Sequence, residues 1–271
     1  MSDKRRGFPL GLDKLAQPTT ARAPASAREP LRPQRLLHQA AQDAARSAAP
    51  SGLGLDSAHV RARMVDRLRA EGLRGEPIFE AMGRVPRHQF VDTALANQAY
   101  EDTSLPIGLG QTISKPSVIA RMLGLLLEGA NARREGHLGR ALEIGTGCGY
   151  QAALLACIAR HVVSIERLRP LFDKARANLA PWRLDQVRLV YGDGMLGHAP
   201  RAPYDSIVAA AGGEDLPPAW LEQLAIGGRL VAPMQSTGGG QVLVVVDRTA
   251  TGWSRSHHEG VHFVPLKSGV L

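Results

Sequence analysis

Three glycines at alternate positions, Gly145, Gly147 and Gly149, close an apolar run (Arg140-Ala141-Leu142-Glu143-Ile144) and precede a helix-prone stretch from Tyr150 to Ala159. Strand, tight turn and helix start, in that order, let backbone approach a ligand with no side chain in the way. The chemistry expected there is the binding of a nucleotide-like molecule. A dinucleotide version needs glycine at position 150, where Tyr150 stands, and a phosphate-gripping loop needs Gly-Lys-Ser/Thr, which is missing. A second apolar run, His161 to Ile165, ends in Glu166, about 20 residues past the turn, where a carboxylate can accept both hydroxyls of a ribose. A third, Val187 to Tyr191, ends in Gly192-Asp193-Gly194. Strand ends of these three kinds suit an adenosine ligand without phosphates, which points to S-adenosylmethionine.

The candidates for other chemistry are few. The nine histidines are scattered, and no Ser-His-Asp arrangement or metal cluster is evident. Methylation of base amines usually places Asn/Asp-Pro-Pro-Tyr after the fourth strand, where this chain has Ala209-Ala210-Ala211-Gly212-Gly213. Neither Cys148 nor Cys157 follows a proline, as a pyrimidine-attacking cysteine would. Ser114, ahead of Lys115-Pro116-Ser117 and an apolar helix, reads in two ways. It can begin a capping turn, or its hydroxyl can join free backbone N–H groups and the helix dipole in holding an anion.

The elements that would position these residues follow from periodicity. Val60, Met64 and Leu68 repeat at helical spacing up to Gly72, with Asp56 and Ser57 as N-cap candidates and Arg61, Arg63, Arg67 and Arg69 on solvated faces. A short helix is expected from Pro77 to Met82, a loop or hairpin over 104–110, and a helix from Val118 to Leu127. Strands at 139–144, 162–166, 187–191, 205–210 and 228–232 then alternate with helices at 149–159, 168–180 and from about Pro218. Two β-rich stretches, 241–247 and 261–266, close the chain, and His257-His258 between them reads as an exposed turn. Such alternation specifies an α/β fold with a doubly wound, mostly parallel, seven-stranded sheet and an N-terminal helical extension.

Composition sets the remaining bounds. With 271 residues, 44% of them hydrophobic, the chain can bury a sizeable core. Two cysteines argue against a disulfide framework and fit a reducing, cytoplasmic location. On a helix over 149–159 they would stand about 13 Å apart, too far to bridge. No apolar stretch reaches the roughly 18 residues of a membrane span. Residues 1–50 carry nine Lys/Arg and four acids, so they hold +5 of the net charge of +8. This stretch is rich in Ala, Pro and Ser and poor in aromatics, and residues 1–54 are read as a disordered basic extension ahead of a domain over 55–271. Nucleic acid is expected only as nonspecific contact by that extension, and the chain is expected to be a monomer.

From about Val60 to Leu271 the chain resembles the protein-L-isoaspartate (D-aspartate) O-methyltransferase family. The resemblance is carried by Val85-Pro86-Arg87-His88-Gln89-Phe90-Val91, Leu105-Pro106-Ile107-Gly108-Leu109-Gly110-Gln111-Thr112-Ile113-Ser114, the glycine turn, Gly192-Asp193-Gly194 and His262-Phe263-Val264-Pro265-Leu266. It implies methyl transfer from S-adenosyl-L-methionine, leaving S-adenosyl-L-homocysteine, to the free α-carboxylate of L-isoaspartyl residues in damaged proteins and peptides, with D-aspartyl residues as a further acceptor. The ester then collapses to a succinimide whose hydrolysis returns some normal aspartate. The acceptor is ionised at neutral pH, so no general base is required. On this resemblance Ser114 is the catalytic candidate. Thr112, Ile113, Val264, Pro265 and Leu266 would line the peptide site. Glu143, Gly145, Thr146, Gly147, Gly149, Tyr150, Glu166, Arg167, Asp193 and Gly194 would hold cofactor, and no metal is expected. Two alternatives remain at this point: a methyltransferase for another acceptor, small molecule or RNA, and an S-adenosylmethionine-binding protein without catalysis.

Overall fold

The structure, a computed structural model, describes residues 58–271. The basic stretch and the Asp56-Ser57 cap lie outside the described residues. Ala58–Ala70 (α1) and Glu76–Arg84 (α2) form the helical extension. Met64, Val65 and Leu68 bury one stripe of α1, while Pro77 occupies the first turn of α2, where its missing N–H is no loss. The arginines of α1 do more than face solvent. Arg61 Nε donates to Gly83 O at 3.0 Å, and Arg69 pairs with Glu76 and lies over the Phe79 ring.

Leu105–Gly108 (β1) and Gln111–Ile113 (β2) form a two-stranded antiparallel hairpin. Pro116–Leu127 (α3) follows, then a short helix that the sequence pattern did not indicate, Ala130–Glu135 (α4). From there strand and helix alternate as expected: Arg140–Ile144 (β3), Tyr150–Ile158 (α5), His161–Glu166 (β4), Arg169–Leu179 (α6), Val187–Tyr191 (β5), Tyr204–Ala209 (β6) and Pro218–Gln223 (α7). Leu224–Gln235 (β7), Gln241–Arg248 (β8) and Trp253–Val261 (β9) complete the chain of elements.

The main sheet has seven strands in the order β5-β4-β3-β6-β7-β8-β9. Its first five strands are parallel, and β8 and β9 return antiparallel as a meander. β3, β4 and β6 are buried almost throughout, as central strands covered on both faces must be. The helix α5 is buried on nearly every side, so its sequence is apolar all round rather than striped.

Two expectations fail at the end of the chain. The last strand is Trp253–Val261, not 261–266, and the segment after it leaves the sheet, held by the Gln241 side chain on Phe263 and by a parallel bridge from Pro265 to Gly212 beyond the end of β6. His257 and His258 therefore lie inside a strand, not a turn. The cause is that β9 is an edge strand with nearly every residue exposed, so no apolar alternation marks it. The apolar run 261–266 is packed for another purpose.

Candidate active site

The C-terminal ends of the parallel strands meet the hairpin around a cavity of about 700 Å³. Open parallel sheets bind ligands at this edge, where crossover connections leave from adjacent strands in opposite directions. The chain places β4 and β6 on either side of β3, which makes the end of β3 that switch point.

The glycine turn after β3 forms the cavity floor. Gly145 N and Thr146 N both donate to Ile165 O, at 2.9 and 3.1 Å, which fixes the turn against the end of β4. Gly145 and Gly147 have φ of 90° and 57°, a region that L side chains rarely adopt, and a Cβ on Gly147 would come within 3.1 Å of Ile107 Cδ1 on the hairpin. Glu166, at the end of β4, is buried and lines the cavity. One carboxylate oxygen accepts Gly147 N and the other accepts Leu168 N, each at 2.9 Å. Each oxygen keeps acceptor capacity for a ligand hydroxyl.

Glu143 is fully buried and does not itself line the cavity. Its carboxyl accepts a hydrogen bond from Ser164 Oγ, which also pairs with Thr146 Oγ1 at 2.6 Å. Burial pushes its pKa up to about 8, with the Ser164 hydrogen bond opposing the shift. Its contact is with the turn from below, through Ser164 and Thr146. Asp193 also departs from the role expected of a cavity residue. Its carboxylate accepts Met195 N at 2.9 Å and Gly269 N at 2.6 Å, and only its neighbour Gly194 reaches the cavity. Gly149 lies just behind the lining residues as the left-handed start of α5. Arg167 lines the cavity while its guanidinium holds Gly269 O at 2.8 Å and Ser268 O at 3.3 Å. Tyr150 lines the wall, buried edge-on to Phe90, and burial raises its pKa.

The hairpin forms the opposite wall. Thr112, Ile113 and Ser114 line the cavity, and so do Val264, Pro265 and Leu266. Ser114 is half-buried there, and no other described residue engages its hydroxyl. The helix start behind it differs from the open anion site expected. The Asp102 carboxylate accepts Ser117 N at 2.8 Å and Ser117 Oγ at 2.7 Å, so a side chain 15 residues earlier already caps α3. A second anion at those groups would be repelled, which leaves the Ser114 hydroxyl, on the cavity lining, as a donor for one.

Four further residues, assigned no role from the sequence, hold this wall. Arg87 is completely buried, donates to Ala99 O at 2.7 Å and lies 5.1 Å from the Tyr150 ring centroid, joining the approach to the hairpin to the start of α5. Lys174 on α6 donates to Ile107 O at 2.9 Å. Lys267 and Leu271 line the cavity from the chain's last residues, with Leu271 N on Arg167 O at 2.8 Å. Among the described residues no group of three or more His, Cys, Asp or Glu could hold a metal ion, and no helix is long and apolar enough to cross a membrane.

A glycine turn, a ribose-competent carboxylate one strand away and a substrate wall facing both define a Rossmann-like methyltransferase. The family model for protein-L-isoaspartate(D-aspartate) O-methyltransferase matches residues 59–271, and the chain belongs to that family. A protein-L-isoaspartate O-methyltransferase of Methylibium petroleiphilum is 64% identical over 268 residues, covering 97% of this chain and 96% of the relative. One from Leptothrix cholodnii is 62% identical over 243 residues, covering 89% of this chain and 85% of the relative. A solved protein-L-isoaspartate O-methyltransferase superposes with a TM-score of 0.67 at 25% identity, over 78% of this chain and 67% of its own.

Proposed function

We propose that this cavity moves a methyl group from S-adenosyl-L-methionine to the free α-carboxylate of L-isoaspartyl residues, and to the side-chain carboxylate of D-aspartyl residues, in damaged proteins and peptides. The observation that carries the reading is that Thr112-Ile113-Ser114, the glycine turn and Glu166 line one cavity. The cavity fits the cofactor: a Cβ on Gly147 would crowd its floor, and Glu166 offers acceptors suited to a vicinal diol. The bound cofactor supplies a methyl group already activated by a sulfonium sulfur.

The protein's own task is placement. Glu166 would hold the ribose, and Gly145, Thr146, Gly147 and Tyr150 would receive the methionine half. Gly194 would border the adenine, while Glu143, Gly149, Arg167 and Asp193 would hold the surrounding backbone in place. The Ser114 hydroxyl would donate to the substrate carboxylate and hold it in line with the methyl group. Thr112, Ile113, Val264, Pro265 and Leu266 would exclude water around it. No side chain has to remove a proton, because the acceptor is already an anion at neutral pH.

The chain is further proposed to act as a cytoplasmic monomer, with a methyltransferase domain over 55–271. Residues 1–54 would add charge, and so only salt-sensitive, nonspecific contact with polyanions. Labelled cofactor offered with an isoaspartyl peptide, its aspartyl twin and RNA tests the reading. Alkali-labile label on the isoaspartyl peptide alone is expected, and label on RNA or on both peptides would overturn it.

A further inference from the structure

The turn joining β1 to β2 carries the wrong residue for its geometry. Gly108 pairs with Gln111, so Leu109 and Gly110 are the two central residues, with φ of 55° and 69°. Two-residue turns with positive φ at both central positions favour Asn, Asp or Gly at the first, because a larger side chain crowds the following carbonyl. Leucine there is strained. Core packing does not offset the strain, since Leu109 is 57% exposed. Leu109 instead lines the mouth of the cavity, as Val264, Pro265 and Leu266 do from the C-terminal segment. A strained, exposed apolar residue at a binding site is a reason to look for a ligand contact.

We propose that Leu109 is a specificity-determining residue: with Pro265 and Leu266 it forms an apolar seat for a substrate side chain near the isoaspartyl residue. The proposal rests on the isoaspartyl reading above and adds the chemistry of the flanking sequence. Leu109 precedes Ser114 by five residues, a span of at most about 18 Å when extended, and the turn at Leu109-Gly110 shortens it. That distance corresponds to about one to four residues of extended peptide. The preferred substrates are therefore isoaspartyl sites with a large apolar residue within four positions on one side. Lys267 lines the same cavity, so a charged flank would report on that lysine as well. A neutral comparison avoids this.

The test uses the full chain and a set of otherwise identical isoaspartyl peptides. A single leucine or serine is placed at each position up to four residues before or after the site. For the wild type, leucine at one of these positions should raise kcat/KM about five- to tenfold over serine, the worth of partly burying one large side chain. Leu109→Gly and Leu109→Asn both suit the turn and should melt no lower than the wild type, yet lose that preference. Leu109→Phe should keep it. A wild type indifferent to leucine at every position, or a preference that survives in Leu109→Gly and Leu109→Asn, would overturn the seat. Failure to methylate any isoaspartyl peptide would instead overturn the reading beneath it.

Discussion

The two walls of the cavity are built in opposite ways. The floor, from Gly145 to Gly147 with Glu166, hangs from the buried centre of a parallel sheet, and its backbone N–H groups are taken by Ile165 O and the Glu166 carboxylate. The facing wall is a hairpin of four- and three-residue strands with an exposed tip, plus a C-terminal segment outside the sheet. A few long-range tethers hold it: Asp102 on Ser117, Lys174 on Ile107 O, Arg87 on Ala99 O, and Gly212 paired with Val264 and Leu266 at 2.8 Å each. The floor is thus preorganised for a ligand of constant shape. The wall is suited to substrates that share one carboxylate and differ elsewhere. Altering the floor should change cofactor affinity, and altering the wall should change peptide turnover.

The largest effect is expected at Glu166. Its carboxylate holds two backbone N–H groups of the floor and is proposed to accept the ribose hydroxyls, so Glu166→Ala removes ligand contacts and turn support together. Hydrogen bonds to a charged group contribute about 1.5–3 kcal/mol each, so cofactor affinity by calorimetry should fall by roughly two orders of magnitude. An unchanged affinity would detach Glu166 from the cofactor and erase the division between floor and wall.

Ser114→Ala should show the converse split. Losing one positioning hydrogen bond at the reacting carboxylate costs about 2–3 kcal/mol, so kcat/KM for an isoaspartyl peptide should fall roughly 30- to 150-fold with cofactor affinity intact. The wild-type pH–rate profile should show no rise between about pH 6 and 8 assignable to a general base. A steep rise there at saturating cofactor would mean that the acceptor loses a proton during the reaction.

The same contrast governs what could be read from the sequence. The floor was legible because its elements are local: β3, β4 and β5 stand within two residues of their expected limits, and the glycine spacing is itself the turn. The wall depends on distant partners. Arg87 and Asp102 are charged residues whose default place is a solvated surface. Ala99 O and the Tyr150 ring for Arg87, and Ser117 for Asp102, all brought close by the fold, give them a buried or capping role. β7 begins at Leu224, four residues before the expected start, because Gly227 and Gly228 interrupt the apolar run without ending the strand. β9 is written in polar residues, and pairing with β8 alone defines it. Leu109 carried a signal that could have been found: leucine between two glycines at a hairpin tip.

Asp102→Ala sharpens the comparison from the side of the tethers. It removes the cap of α3 without touching Ser114, and loss of a capping side chain costs about 0.5–2 kcal/mol of stability. Because Ser114 immediately precedes this helix start, kcat for the isoaspartyl peptide should fall by about tenfold as its hydroxyl loses registration. Asp102→Asn, which keeps an oxygen for Ser117 N, should recover much of that loss. Cofactor affinity should hold in both variants. If it drops as far as turnover does, the wall is not separate from the floor.

The smallest effect on turnover, and the most selective on stability, is expected at Glu143. Burial holds its folded pKa at about 8, above the ordinary carboxyl value of 4.5, so the folded protein keeps a proton that the unfolded chain releases. A raised pKa contributes stability that is fully present below about pH 4.5 and is lost as pH climbs towards 8, with a slope approaching 1.4 kcal/mol per pH unit. Glu143→Gln mimics the protonated carboxyl and can still accept from Ser164 Oγ, so the support of Thr146 should survive. Denaturation from pH 5 to 9 should therefore show a stability decline in the wild type that is much shallower in Glu143→Gln, with the variant the more stable at about pH 8. Cofactor affinity near neutrality should change by no more than about threefold, because the residue reaches the floor only through Ser164 and Thr146. Parallel stability curves would show that Glu143 is ionised in the folded protein. A large loss of cofactor binding would show that it contacts the ligand directly, making the floor a charged site rather than a backbone cradle.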